Sequence, residues 1–186
     1  MKETVFLIHG YTASPEANWF PWLQQMLNKQ DQKITLLPMP DANHPHPDAW
    51  DAMCEKSIAG NDGITLIGHS LGCIQTLRFL QKSNIRNVNL ILVSGFDEPL
   101  LTLPQLDAFT REPVNYANIL PKINQAVVIS AIDDDIVPYL YSETLARHLK
   151  CKFILMPAGK HFISRDGTYT LPVVYQELLA MMEMDG

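Results

Sequence analysis

Ile64-Thr65-Leu66-Ile67-Gly68-His69-Ser70-Leu71-Gly72 carries three local signals in succession. Ile64–Ile67 is a short apolar run that reads as a strand. Gly68 to Gly72 fits the pattern G-x-S-x-G. From Leu71 onward, Leu71, Ile74, Leu77 and Leu80 recur at helical spacing. Strand, sharp turn and helix form the setting in which a serine is presented as a nucleophile. The flanking glycines let neighbouring backbone approach without a Cβ clash. The helix start behind Ser70 offers N–H groups and a positive dipole end to a developing oxyanion. A serine that merely caps a helix shares the five-residue pattern, but not the strand before it.

Outward from this turn, short apolar runs alternate with helical patterns. The runs are Val5–Ile8, Ile34–Leu37, Ile64–Ile67, Val88–Val93, Ala126–Ile132 and Phe153–Met156. They are continuous rather than alternating, as in strands buried on both faces. Helices are expected at Ala17–Lys29, Pro47–Ala59, Ser70–Lys82, Tyr139–Leu149 and Leu171–Met184, with Gly60 as a left-handed stop. Strands separated by helices predict a mostly parallel sheet of about six strands with helices on both faces. Residues 97–125 hold Pro99, Pro104, Pro113 and Pro121 and are too broken for one helix. Insertions of this size usually cover a site or shape a pocket; for the apolar group Phe96, Leu100, Leu101, Leu103, Leu106 and Phe109, core packing is the first expectation and a small cover over an acyl pocket the second.

The chain has 186 residues, 47% of them hydrophobic and 18% charged, enough for one domain, residues 1–186, with its own core. A formal charge of -6 with no basic stripe argues against nucleic acid as a partner. The apolar runs are far shorter than the roughly 20 residues of a spanning helix. Met1-Lys2-Glu3-Thr4 leads into a run too short for a secretory signal. Cys54, Cys73 and Cys151 are odd in number and lack metal-ligand spacing. A cytoplasmic protein with free thiols, no metal and no organic cofactor is expected.

A serine hydroxyl needs a base. In chains with this turn, partners follow in the order Ser, Asp or Glu, His. His161 stands in Pro157-Ala158-Gly159-Lys160-His161-Phe162, after the last predicted strand. The acid should follow the strand before it, where Asp133-Asp134-Asp135 stand together. Like charges this close raise one another's pKa, so one turns inward and the others face solvent or cap a helix. Spacing does not choose among them, and Asp97, one strand earlier, is the outside candidate. His9-Gly10-Tyr11, after the first strand, is placed to give one oxyanion N–H, from Tyr11, with Leu71 giving the other. His9, Trp19, His69 and Phe96 are candidate pocket residues. Trp19 is equally suited to packing a core, and for Phe96 core packing is the first expectation. His44-Pro45-His46 reads as an exposed loop.

These residues resemble the YdeN-like branch of the retinoblastoma-binding protein nine family, small and mostly bacterial serine hydrolases. The segments that carry the resemblance are His9-Gly10-Tyr11-Thr12-Ala13-Ser14, Asn18-Trp19-Phe20-Pro21-Trp22-Leu23, Gly68-His69-Ser70-Leu71-Gly72, Val93-Ser94-Gly95-Phe96, Asp133-Asp134-Asp135-Ile136-Val137-Pro138 and Gly159-Lys160-His161-Phe162. They run in the family's order along nearly the whole chain. The resemblance implies a minimal α/β-hydrolase fold with no large cap domain. It also implies a triad of Ser70, Asp134 and His161, the acid being the aspartate four residues before Pro138. It implies cleavage of short acyl esters, with amides or thioesters as the alternative for the same triad. A non-catalytic binding protein is the third reading. The family's L-x-C-x-E segment is not reproduced, because Leu71-Gly72-Cys73-Ile74-Gln75 ends in Gln.

Overall fold

Successive residues of a strand face opposite sides of a sheet, and in Val5–Ile8 both sets are apolar. In the computed structural model, which describes residues 5–58, 60 and 62–184, this run is strand β1. Val5 and Leu7 join one hydrophobic cluster and Phe6 and Ile8 the other. The remaining strands are β2 (Ile34–Leu37), β3 (Thr65–His69), β4 (Val88–Val93), β5 (Ile123–Ala131) and β6 (Lys152–Met156). All neighbours pair in parallel, in the order β2-β1-β3-β4-β5-β6.

Among the described residues six α-helices accompany them: α1 (Phe20–Asn28), α2 (Pro47–Ile58), α3 (Leu71–Lys82), α4 (Tyr116–Ile119), α5 (Tyr139–Leu149) and α6 (Pro172–Met184). Phe20, Leu23 and Leu27 of α1 and Val174 and Leu178 of α6 cover the Leu7 face. Trp50 and Cys54 of α2, Ile74 and Leu77 of α3, and Leu145 of α5 cover the Phe6 face. The central strands β1, β3 and β4 are therefore buried on both faces, as continuous apolar strands require, while the edge strand β6 leaves Lys152 and Leu155 exposed. No helix among the described residues is long and apolar enough to cross a membrane.

Several element ends differ from expectation. Helix α1 starts at Phe20, not Ala17, because Asn18 takes φ +56° and a helix cannot pass through it. Strand β5 begins at Ile123 and ends at Ala131, three residues earlier and one residue earlier than predicted. Ser70 stands outside α3. Gly60 has φ +80°, the left-handed conformation expected of a stop, while Ala59, the predicted end of α2, lies outside the described residues. So do Met1-Lys2-Glu3-Thr4.

The segment between β4 and β5 resolves into a 3₁₀ turn (Pro104–Phe109), α4 and a second 3₁₀ turn (Leu120–Lys122). Phe96, Leu100, Leu106, Phe109 and Ile119 are buried in the same cluster as Trp50. The segment is thus mostly outer core. It is fastened by Asp97, whose buried carboxylate accepts from the Tyr116 hydroxyl and lies 2.5 Å from His148 Nδ1 on α5. Lys122 Nζ adds a second fastening, donating at 2.7 Å to the Leu80 and Ser83 carbonyls at the end of α3.

Candidate active site

The turn after β3 places one serine at the carboxyl edge of the sheet. Ser70 has φ 56° and ψ -120°, a conformation that side chains rarely adopt and that tight surroundings must hold. Its N–H donates to the Val93 carbonyl at 2.9 Å. Gly72 makes the holding possible: a Cβ there would lie 2.0 Å from the Ile8 carbonyl oxygen. Helix α3 is therefore pressed against the end of β1. Gly10 faces the serine from the loop after β1, and a Cβ there would lie 3.0 Å from Ser70 Cβ.

His161 Nε2 lies 2.9 Å from Ser70 Oγ. Its Nδ1 lies 2.9 Å from Asp134 Oδ2 and 3.2 Å from Oδ1. A carboxylate only accepts, so Nδ1 carries the proton and Nε2 turns its lone pair to the hydroxyl. Asp134 Oδ1 also accepts from the N–H groups of Ile136 at 3.0 Å and Val137 at 2.9 Å, which fixes the carboxylate. The side chains of His161 and Asp134 are 5% and 0% exposed, so this chain of contacts is sheltered from water.

The neighbouring aspartates have other partners. Asp133 Oδ1 accepts from the Lys160 N–H at 2.8 Å, bracing the segment that carries His161. Asp135 is exposed. Asp97 is engaged with Tyr116 and His148. Tyr11, on the loop after β1, lines the cleft over Ser70, and Leu71 follows Ser70 as the first residue of α3. Among the described residues, neither backbone N–H donates to a protein acceptor.

The cleft has a volume of about 540 Å³. Of the four candidate pocket residues, only His69 lines it. His9, Trp19 and Phe96 do not, which corrects the expectation. Trp19 is wholly buried, edge-on to Phe20 and His69, and Phe96 belongs to the core. His9 turns away from the cleft, accepting from the Met39 N–H at 3.3 Å and meeting Trp50 edge-on. Burial lowers its pKa, outweighing the Gly10 carbonyl and Glu16, which act to raise it. Leu103, of the apolar group after β4, lines the cleft, and sequence reasoning missed Thr12, Asn18, Ile136 and Arg165, which are there too. Only their nearness to motifs in the chain could have flagged them. Asn18 Oδ1 accepts from the Ser164 N–H at 2.9 Å, joining two loops 146 residues apart.

His69 Nε2 lies 2.9 Å from the His161 carbonyl oxygen, so the proton sits on Nε2 and that bond holds the base segment against the serine turn. Burial pushes the His69 pKa down to about 3, with the neighbouring His161 charge acting the same way. In the unfolded chain the ordinary value of 6.5 returns. The unfolded state therefore binds more protons below pH 6.5, and stability is lost as pH falls from there towards 3. Each fully differential proton contributes a slope of about 1.4 kcal/mol per pH unit. Urea unfolding between pH 7 and pH 5 should show this decline, and His69→Phe should make it shallower.

Comparisons with known proteins bear on the family and the fold. The serine hydrolase family model matches residues 5–180. YdeN of Bacillus subtilis (strain 168) is 35% identical over 181 residues, covering 96% of this chain and 95% of that protein. The crystal structure of the B. subtilis ydeN gene product superposes with a TM-score of 0.91 at 34% identity, covering 98% of this chain and 100% of that one. More distantly, Est1E from Butyrivibrio proteoclasticus, solved with ferulic acid bound, shares the fold with a TM-score of 0.70 at 15% identity, covering 97% of this chain and 88% of its own. With a parallel sheet of α/β-hydrolase type and a matched sequence running from β1 into α6, the chain belongs to the serine hydrolase family.

Proposed function

We propose that this protein is a carboxylesterase-like serine hydrolase that cleaves small acyl esters through an acyl-enzyme. The observation that carries the reading is the line of 2.9 Å contacts from Asp134 through His161 to Ser70, ending in an open cleft. His161 Nε2 takes the hydroxyl proton as Ser70 Oγ attacks the ester carbonyl carbon. The Tyr11 and Leu71 N–H groups receive the oxyanion, an interaction whose removal typically costs about 10²–10³ in rate. Asp134 stabilises the imidazolium, which then protonates the departing alcohol. Water, deprotonated by His161, hydrolyses the acyl-enzyme and returns Ser70 to its free form. These steps need no metal or organic cofactor.

The test is a matched panel of butyryl ester, thioester and anilide substrates, with mass spectrometry of the Ser70 peptide during turnover. The expected result is preferential ester hydrolysis and a butyryl adduct on Ser70. Preferential turnover of the thioester or anilide would move the assignment to that class. Folded protein with no turnover and no adduct would overturn it.

A further inference from the structure

The cleft has a mixed lining. Leu103 and Ile136, from the β4–β5 segment and the acid loop, are apolar. The loop after β1 and the turn after His161 bring the polar Thr12, Asn18, Ser164 and Arg165 beside the apolar Ala13, Ala17 and Ile163. The Asn18–Ser164 hydrogen bond joins those two segments, next to Arg165. Among the described lining residues there is no aspartate or glutamate, and Arg165 carries the one permanent charge. His69 is kept neutral by burial.

The guanidinium is only loosely paired. Among the described residues it makes no hydrogen bond, and its ion partner, Asp166, has Oδ1 3.9 Å from Arg165 Nε. That same oxygen is also 3.8 Å from Lys160 Nζ, so one carboxylate faces two cations and leaves a net positive charge at the rim. The Arg165 side chain is 69% exposed, and Arg165 lines the cleft that holds Ser70. In a chain of net charge -6, an arginine that shares its carboxylate partner with Lys160 puts positive charge on that cleft and marks the sign of what enters. The planar fork of a guanidinium matches a carboxylate.

We infer that Arg165 recognises an anionic group on the substrate, so that the preferred substrates are esters bearing a carboxylate in addition to the scissile bond. This rests on the ester-hydrolase reading. The apolar part of the substrate lies along Leu103 and Ile136, and the carboxylate reaches Arg165 across the Ser70 centre.

The experiment compares kcat/KM for two pairs of esters. 4-Nitrophenyl hemiglutarate against 4-nitrophenyl valerate places the charge on the acyl side. 4-Carboxyphenyl butyrate against phenyl butyrate places it on the leaving group. In at least one pair, Arg165→Gln should lower the ratio of charged to neutral ester about fivefold at low salt, the upper range for an exposed ion pair. Arg165→Glu should lower it further, and added salt should narrow the wild-type preference. Lys29→Gln changes the net charge equally at the far end of α1 and should leave the ratio alone. Ratios that stay the same in both Arg165 variants, or that shift equally in Lys29→Gln, overturn the assignment to Arg165. Wild-type protein that turns over none of the four esters overturns the ester reading itself, and the Arg165 assignment with it.

Discussion

Ser70→Ala should abolish labelling by a fluorophosphonate probe and lower ester kcat by about 10⁴-fold or more, as loss of a nucleophile does in serine hydrolases. The change removes one oxygen from a 5%-exposed side chain and leaves the Gly72–Ile8 contact untouched. The protein should therefore fold, and its thermal unfolding should match wild type. His161 Nε2 then faces a methyl group and has no proton to take. Residual activity about 10³–10⁴-fold above the uncatalysed rate is expected from the oxyanion donors and substrate binding. Labelling that survives in the variant would remove Ser70 from the mechanism.

Asp134→Asn should lower kcat by about 10³–10⁴-fold with a smaller effect on KM. The reason lies in where the two carboxylate oxygens point. Oδ1 accepts from Ile136 and Val137, so the carbonyl oxygen of an asparagine would take that place. Its NH₂ group would then face His161 Nδ1, which must give up its proton to accept. The proton would move to Nε2, opposite Ser70 Oγ, and the base would become a donor. Asp97→Asn is the counterpart: it weakens the link between Tyr116 and His148 and should lower thermal stability while ester turnover persists. The reverse pattern would make Asp97 the acid.

The strand, turn and helix around Ser70 could be read from sequence because all three signals are local. The glycine spacing reports close approach, and the approach is there: Gly72 has no room for a Cβ against Ile8. The order of partners along the chain pointed to His161. Choosing among three adjacent aspartates was different. They share a composition and differ only in direction, and the direction depends on which backbone N–H each carboxylate meets. Asp133 meets Lys160, while Asp134 meets Ile136 and Val137. Those meetings belong to the folded loop, so only the family resemblance could select Asp134. The pocket aromatics failed for a related reason. Trp19 and Phe96 stand near motifs, yet nearness in the chain does not tell a wall from a core, and both are buried. The start of α1 was misplaced because Asn18 leaves helical geometry to reach Ser164, a partner 146 residues away.

Asp97 stands after β4, a position from which some hydrolases of this architecture draw their acid. Here that carboxylate is occupied, since one oxygen serves both Tyr116 and His148 and holds the crossover segment to the body of the protein. The two acids are therefore not interchangeable parts. Asp97 is committed to holding the crossover segment, and of these two carboxylates it is Asp134 that lies against His161. Freeing Asp97 to turn towards the histidine would cost this segment its link to α5.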